Sequence, residues 1–164
     1  MRADVQSIYR ARFNKTGVQK RDRVWKVLCE AYFSKLIEPN ATVLDLACGY
    51  GEFINNIEAA KKYAVDLNAD SANYLRAGIV FNNTMASDLS FVGRDSLDIV
   101  FTSNFLEHLK DWSECDQVLK GVLAALRPGG RFIILGPNIK YAYREYWDYY
   151  DHHLPLSHLS LVEV

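Results

Sequence analysis

The segment VLDLACGYGEF, residues 43–53, places a carboxylate and two glycines where a buried strand would end. Asp45 lies within the apolar run, and Gly49 and Gly51 follow it at alternate positions. Glycine adopts positive φ at little steric cost and lets a ligand approach the backbone closely. A helix that starts after the glycines also exposes unbonded N–H groups. The segment therefore predicts a turn that binds a nucleotide-like ligand.

The acids narrow the class of ligand. A dinucleotide fingerprint needs a third glycine, but the chain has Ile54 at that position, which disfavours pyrophosphate binding. Asp45 suits a cationic ligand group, and Asp66 ends the next apolar run, where a carboxylate accepts hydrogen bonds from ribose hydroxyls. A ligand with a ribose, a cationic amino-acid portion and no phosphate satisfies both acids.

Apolar patterning predicts the elements that position these residues. Strands alternate with helices over short connections, which is typical of an α/β fold, a Rossmann-like three-layer sandwich with a parallel sheet and helices on both faces. The ligand crevice of such a fold lies at the carboxyl ends of the strands. The first predicted helix carries its apolar face on Val24, Val27, Leu28, Ala31, Tyr32 and Leu36. Strands are predicted at 42–47, 63–68, 79–83, 96–105 and 131–138, helices at 22–37, 52–59, 69–77 and 112–126, and a turn at 127–130.

Composition indicates an ordinary globular domain. The chain has 164 residues, 49% of them hydrophobic, and a net charge of -1, so it has no overall electrostatic attraction to nucleic acid, which is not expected as a partner. Three cysteines without a C-x-x-C pair favour reduced thiols in a cytoplasmic protein. No apolar run reaches membrane-spanning length, so no membrane association is expected.

Residues 1–26 are rich in lysine and arginine. Two interpretations remain open: a solvated arm, or a lid that attracts an anionic substrate. We divide the chain into a basic arm and amphipathic helix over 1–37, which would act as a lid or cap, and a ligand-binding domain over 38–164.

The pattern D-x-A-x-G-x-G at 45–51 resembles the first motif of class I S-adenosylmethionine-dependent methyltransferases, and the chain is similar to their type 11/12 members. In that family the first of three alternating small residues is often alanine, as Ala47 is here. The resemblance extends over roughly residues 24–140, through ASDL at 86–89, FLEHL at 105–109 and LRPGGRFIILGPN at 126–138. It implies a sheet of order 3-2-1-4-5.

The resemblance also implies a cofactor and its contacts. S-adenosylmethionine would bind and leave as S-adenosylhomocysteine, with its methionine portion at residues 45–51 and its ribose at Asp66. Asp88 would meet the adenine amino group, although an aspartate of an exposed turn is the alternative. Leu89 and Leu67 would flank the adenine ring. The implied cofactor-binding set is Asp45, Ala47, Gly49, Gly51, Asp66, Leu67, Asp88, Leu89 and Asn104.

The acceptor side is expected beyond the fourth and fifth strands. Methyl transfer is an in-line displacement, so the protein mainly aligns the acceptor and excludes water. Glu107 and His108 are common at this place in the family and are catalytic candidates, with structural support of the pocket as the alternative. His153 is the third candidate, as a general base, because Pro155 fixes the chain just after it. Tyr143, Tyr146 and Trp147 would line the substrate pocket. Alternatively Tyr143, Trp147 and Tyr150, which stand at helical spacing, would form a packing face over the sheet.

No metal ion is expected. Some relatives, such as small-RNA 2'-O-methyltransferases, bind a divalent metal through E-x-x-E-H, but Asn104 stands here in place of the first glutamate. Loss of a charged ligand weakens a site for a hard cation, although a histidine later in the chain could still complete one.

The sequence therefore predicts a cytoplasmic methyltransferase that modifies oxygen or nitrogen of a small polar molecule, anionic or sugar-bearing. The alternatives are a metal-assisted RNA 2'-O-methyltransferase, a nonenzymatic cofactor-binding module and, last, a nicotinamide-dependent dehydrogenase. Only five strands can be counted, so the β6–β7 hairpin usual in the family is expected to be missing from a truncated chain. The fifth strand would then have an open edge, which predicts a homodimer through that edge.

Overall fold

A parallel five-stranded sheet organises the computed structural model, which describes residues 15–163. Its order is β3-β2-β1-β4-β5, and every pairing is parallel, which confirms the predicted topology. Residues 1–14, with most of the predicted basic arm, lie outside the described part. The strands are β1 (Thr42–Leu46), β2 (Lys61–Val65), β3 (Ile79–Asn82), β4 (Leu97–Ser103) and β5 (Leu126–Leu135).

Two α-helices lie in connections between strands, one helix precedes β1 and one follows β5. The side chain of Asp111 starts the longest crossover helix by accepting a hydrogen bond from the Glu114 N–H at 3.0 Å. Short 3-10 turns replace the helix predicted at 69–77 and follow β4. The α-helices are α1 (Lys15–Ala31), α2 (Glu52–Asn56), α3 (Trp112–Ala125) and α4 (Ile139–Ala142), and the 3-10 turns are Phe33–Lys35, Ala69–Tyr74, Leu106–His108, Tyr146–Asp148 and Ser160–Val162.

Both faces of the sheet are covered. On one face α3 packs Val118 and Val122 against Leu44 and Leu46 of β1. On the other face, α1 and α2 pack over Val43 and its neighbours from β2 and β4. Because β1 contributes alternate side chains to both cores, it is buried at nearly every position, as expected for the central strand of a parallel sheet.

The buried face of α1 differs from the predicted one. Val24 and Val27 are 52% and 61% exposed, whereas Cys29 is buried and Trp25 packs against the ring of Phe101 at 5.8 Å. The apolar stripe is therefore displaced by about one residue from the prediction. A tryptophan buries far more area than a valine, so it decides which face turns inward.

The RPGG segment lies within β5 rather than before it. β5 pairs with β4 at Leu126 opposite Leu97 and again at Arg131 opposite Ile99, so extra residues of β5 are accommodated between the two pairs. Gly129 has φ 82°, a value that favours glycine. The predicted turn is thus an irregularity inside the edge strand.

The segment after β5 places Leu154 and Leu156 in the core on one face of the sheet, and one tyrosine holds these two residues in place. Tyr146 is 1% exposed, and its hydroxyl donates to the Leu154 carbonyl and accepts from the Leu156 N–H at 3.1 Å. Tyr143 and Trp147 are instead 59% and 53% exposed. The helical packing face considered for the aromatic residues does not form, because residues 143–150 contain one 3-10 turn and no α-helix.

Two further findings concern chemistry and environment. All three cysteines, Cys29, Cys48 and Cys115, are buried and form no disulfide. Within residues 15–163, none of the helices has the length and hydrophobicity that crossing a membrane requires.

Replacement of Tyr146 by phenylalanine should lower the free energy of unfolding by about 1–3 kcal/mol, because the Leu154 carbonyl and Leu156 N–H lose a buried partner. Urea denaturation followed by circular dichroism measures the change. Tyr143→Phe is the matched control and should leave stability unchanged. Equal stability of the two variants would show that the hydroxyl of Tyr146 does not hold the segment.

Candidate active site

The turn after β1 has the backbone that its small residues predict. Ala47, Gly49 and Gly51 have φ of 57°, 56° and 74°, all in the left-handed region. A side chain at Gly51 would also meet Leu75, since a Cβ built there lies 2.3 Å from that side chain. Alanine is strained at such φ by about 1 kcal/mol, so this loop holds its shape at a cost in stability.

Asp66 joins the glycine loop to the end of β2. Its carboxylate accepts hydrogen bonds from the Gly49 N–H at 2.7 Å and from the Asn68 N–H at 2.7 Å. Asn83 donates to the backbone carbonyl of Asp66 at 2.8 Å. A carboxylate has about four acceptor positions, so bonds to the loop are compatible with bonds to ribose hydroxyls. The two sequence motifs therefore meet at one edge of the sheet.

Asp45 lies on β1 in the core covered by α1 and α2, and it is only 3% exposed. Burial raises the pKa of its carboxyl well above the usual 3.8, a bond from the Ile54 N–H opposes the shift, and the charges of Glu52 and Asp66 add to it. A cationic ligand group near this carboxyl would favour its ionised form. The same surroundings raise the pKa of the Cys48 thiol through burial, which makes Cys48 a packing residue rather than a nucleophile.

The residues expected around adenine lie in different surroundings. Asp88 is exposed, and hydrogen bonds from the Ser90 hydroxyl at 2.7 Å and the Ser90 N–H at 3.2 Å lower the pKa of its carboxyl. Asp88 thus stabilises a surface turn. Leu89 is 6% exposed and packs in the core beneath α3, whereas Leu67, beside Asp66, is 58% exposed. Leu67 is therefore the leucine of this pair that a ligand at Asp66 can reach from solvent.

The end of β4 forms the second half of the site. Asn104 turns the chain with φ 49°, a conformation that asparagine tolerates well, and its N–H donates to the Leu135 carbonyl at 2.8 Å. Glu107 follows in a 3-10 turn and is 2% exposed. Burial raises the pKa of the Glu107 carboxyl to about 7, its own backbone N–H opposes the shift, and the charge of Asp151 adds to it.

Two histidine rings, those of His108 and His152, lie near Glu107. Of the two predicted histidines, only His108 places its ring there. His108 Nδ1 lies 3.0 Å from the Asp151 carbonyl and 3.4 Å from its carboxylate. His153 is exposed and contributes its N–H, which donates to the Glu107 carbonyl at 2.7 Å. His152, which the sequence analysis did not select, packs its ring 4.9 Å from that of His108. Two adjacent histidines cannot be separated by sequence alone, since only the docked backbone determines which ring turns inward.

Glu107, His108 and His152 could together hold a metal ion. Each offers one ligand atom, and these atoms all lie within 4.8 Å of one another. The expectation that no metal binds rested on the E-x-x-E-H motif, in which Asn104 replaces the first glutamate. The structure brings in a third ligand-type side chain from outside that motif.

Two hollows flank the site. A cavity of 150 Å³ lies between the ends of β4 and β5 and the docked segment, lined by Thr102, Glu107, Gly136, Asn138 and Leu156 among others. An open hollow of 460 Å³ lies on the outer side of the glycine loop, between α1 and the stacked rings of Tyr50 and Tyr74. The smaller cavity lies beside Glu107, whose pKa is raised. It is therefore the better candidate for the binding site of the methyl acceptor.

We expect Glu107→Gln to flatten the pH dependence of stability between about pH 4.5 and 7. The raised pKa favours the protonated carboxyl in the folded state, so its stabilising contribution is complete below the unfolded pKa of about 4.5 and disappears as the pH rises through about 7. The loss in the unaltered protein should be about 3 kcal/mol.

Urea denaturation across this pH range, in buffer containing a chelator, measures the effect. The raised pKa of Asp45 makes stability fall with rising pH in every variant. The difference between the unaltered protein and Glu107→Gln therefore isolates the contribution of Glu107 to the pH dependence. The exposed Glu58→Gln serves as control. Parallel pH profiles for all three proteins would contradict the assignment.

Comparisons with known proteins agree with this arrangement. The family model described as a methyltransferase domain matches residues 18–163. A SAM-dependent methyltransferase from Archaeoglobus fulgidus is 22% identical, with a TM-score of 0.69 over 98% of this chain and 72% of that chain. The N-methyltransferase NodS from Bradyrhizobium japonicum WM9, solved with S-adenosyl-L-homocysteine, is 15% identical, with a TM-score of 0.56 over 80% of this chain and 67% of that chain. These identities establish likeness of fold. No curated protein matches the chain significantly.

Proposed function

The chain belongs to the methyltransferase-domain family, and from this premise we propose that it transfers a methyl group from S-adenosylmethionine to oxygen or nitrogen of a small polar molecule. The observation that carries the proposal is the 2.7 Å bond from the Gly49 N–H to the Asp66 carboxylate. It unites the glycine loop and the acid after β2 at the carboxyl end of a parallel sheet, where ligands of such folds bind.

S-adenosylmethionine is the cofactor, and the residues present suit its parts. The loop from Asp45 to Gly51 would hold the cationic methionine portion, and Asp66 the ribose hydroxyls. Leu67 offers an exposed apolar surface to the adenine ring. Asp88, Leu89 and Asn104 complete the proposed cofactor-binding set. Asp88 would contact the adenine amino group, whereas Leu89 and Asn104 would shape the walls of the cofactor crevice.

The acceptor would approach from the side of Glu107 and His108. A lone pair of its oxygen or nitrogen forms the bond to the methyl carbon while the carbon–sulfur bond breaks, and that electron pair stays on sulfur. The proton that the acceptor loses goes to Glu107 or His108, since a carboxyl of pKa about 7 can accept a proton near neutral pH. His153, predicted as a base, would act through its backbone bond to the Glu107 carbonyl.

The nature of the acceptor is inferred from the surroundings. Tyr143 and Trp147 are exposed beside the buried Tyr146 and offer aromatic surfaces with polar tips, which suit a polar organic molecule such as a sugar derivative. Basic residues near the start of α1 favour an anionic group on it. Arg21, however, forms a salt bridge of 2.8 Å with Glu52. Other basic side chains of residues 1–37 would therefore attract the anionic group. We propose that residues 1–37 act as a lid and that the enzyme is cytoplasmic.

Asp66→Asn should weaken binding of S-adenosylhomocysteine about 10- to 100-fold, the value of hydrogen bonds to a charged acceptor. Calorimetric titration of the full chain measures the affinity. Asp95→Asn is the charge-matched control, because Asp95 is exposed and precedes β4 at the opposite end of the sheet. Absence of binding by folded, unaltered protein would remove the cofactor proposal and direct the next titration to NADH.

Turnover separates the enzyme from its rivals. Incubation with methyl-labelled S-adenosylmethionine and a panel of sugar acids, hydroxy acids and amines should label one acceptor class. Tight S-adenosylhomocysteine binding with no labelled product from any acceptor class would instead indicate a nonenzymatic cofactor-binding module. Labelling of RNA in preference to every small molecule would indicate an RNA 2'-O-methyltransferase.

The outer edge of β5 gives a prediction about assembly. β5 is one of the two edge strands of the described sheet, and an unpaired edge presents N–H and C=O groups to another chain. We expect a homodimer through this edge. Light scattering after size-exclusion chromatography should then give twice the mass of one chain, whereas a stable monomer at high concentration would contradict the expectation.

A further inference from the structure

The geometry points to a binding site for a divalent transition-metal ion formed by Glu107, His108 and His152. These residues come from two segments, the turn after β4 and the loop before Leu154, and their ligand atoms lie within 4.8 Å of one another. Ligand atoms around a bound ion stand about 3.3 Å apart when bonds are about 2.0–2.1 Å. Side-chain rotations that move the ligand atoms by about an ångström would therefore bring them to the separation that a bound ion requires.

The ligand types define the class of ion. Two imidazoles and one carboxylate suit zinc, iron, cobalt or manganese, and they leave coordination positions open. An all-oxygen set for magnesium or calcium is not present in this cluster. A dication would also balance the Glu107 carboxylate, which is 2% exposed and whose turn offers no lysine or arginine.

His108 has the surroundings of a metal-binding histidine. Its Nδ1 lies 3.0 Å from the Asp151 carbonyl oxygen and 3.4 Å from the Asp151 carboxylate. A hydrogen bond from Nδ1 to such an oxygen fixes the tautomer whose Nε2 carries the lone pair. Carbonyl or carboxylate partners of this kind orient the histidines that bind metal ions.

His152 supplies an independent observation. Its Nδ1 is buried and has no hydrogen-bond partner among residues 15–163, a costly state for a polar atom. The ring is held between Tyr149, at 5.0 Å in a stacked arrangement, and Tyr146, at 5.0 Å. A metal ion would give the imidazole the polar partner that its aromatic neighbours do not provide.

The backbone holds the two segments together before any ion binds. The N–H groups of His153 and Leu154 both donate to the Glu107 carbonyl, at 2.7 and 3.2 Å. The loop that carries His152 is thereby attached to the turn that carries the other two side chains. A site preorganised in this way loses less conformational entropy when the ion binds.

The catalytic role of the ion rests on the proposed function. A metal bound beside the acceptor cavity would coordinate an acceptor hydroxyl and lower its pKa. The oxygen would then attack the methyl carbon, the carbon–sulfur electron pair would stay on sulfur, and the hydroxyl proton would leave to solvent. Glu107 and His108 would be ligands rather than proton acceptors, and the product would be an O-methyl ether or ester.

Titration of the full chain with Co²⁺ and with Zn²⁺ tests the site directly. We expect one ion per chain, a visible Co²⁺ absorption band, and displacement of Co²⁺ by Zn²⁺. Glu107→Gln and His152→Phe should each weaken binding about 100-fold or more; even loss of an outer-shell partner costs up to about 100-fold. Phenylalanine keeps the ring contacts of residue 152, and circular dichroism confirms that each variant is folded.

His153→Phe is the matched control, because His153 is exposed and adjacent to His152. Unchanged affinity in this variant supports the site, whereas an equal loss shows adventitious binding to surface histidines and overturns it. No stoichiometric binding also overturns it. S-adenosylhomocysteine titrations of the same samples keep the two proposals apart: intact cofactor binding without metal binding removes only this inference, and the reverse removes only the proposed function.

Discussion

The pairing of β1 with β4 is the constraint on which the site depends. Leu46 lies opposite Thr102 in the parallel ladder, and the Thr102 hydroxyl donates to the Leu46 carbonyl at 2.7 Å. Both strands are buried, so a slip by one residue would exchange the sides of the sheet to which their side chains point. This register brings the glycine loop and the Asn104 turn to the same carboxyl end of the sheet. Asp45 lies within β1 near that end, and the other candidate residues lie in segments that follow the strands.

Local patterns were sufficient to predict that the glycine loop and Asp66 lie together. Glycines at alternate positions required a left-handed turn, and the acid after β2 had to lie beside it once the strands were parallel; Gly49 and Asp66 meet as expected. Long-range packing decided the rest. The ring of Trp25 rotated α1 away from its predicted face. The choice between His152 and His153 depended on backbone bonds to Glu107, more than forty positions away in the chain.

Buried acids are common to both halves of the site. Asp45 and Glu107 are nearly inaccessible and carry raised pKa values, mainly because burial penalises their charged forms. A protein gains no stability from such groups near neutral pH, so their presence at strand ends is a cost to folding. A positively charged ligand reverses that cost. The proposed sulfonium cofactor carries its ammonium group toward the first acid, and the proposed metal ion serves the second.

The two halves differ in how they are held. Consecutive residues and the sheet itself build the proposed cofactor half, whereas the proposed acceptor half forms only where the last segment packs on the sheet. Tyr146 bonds to residues 154 and 156, the Leu154 N–H bonds to Glu107, and His152 is positioned as a result. A change in this segment can therefore alter the acceptor groups without disturbing the bond between Gly49 and Asp66. The identity of the proposed acceptor therefore depends on the side chains of residues 139–163 and of the turn after β4 rather than on the glycine motif.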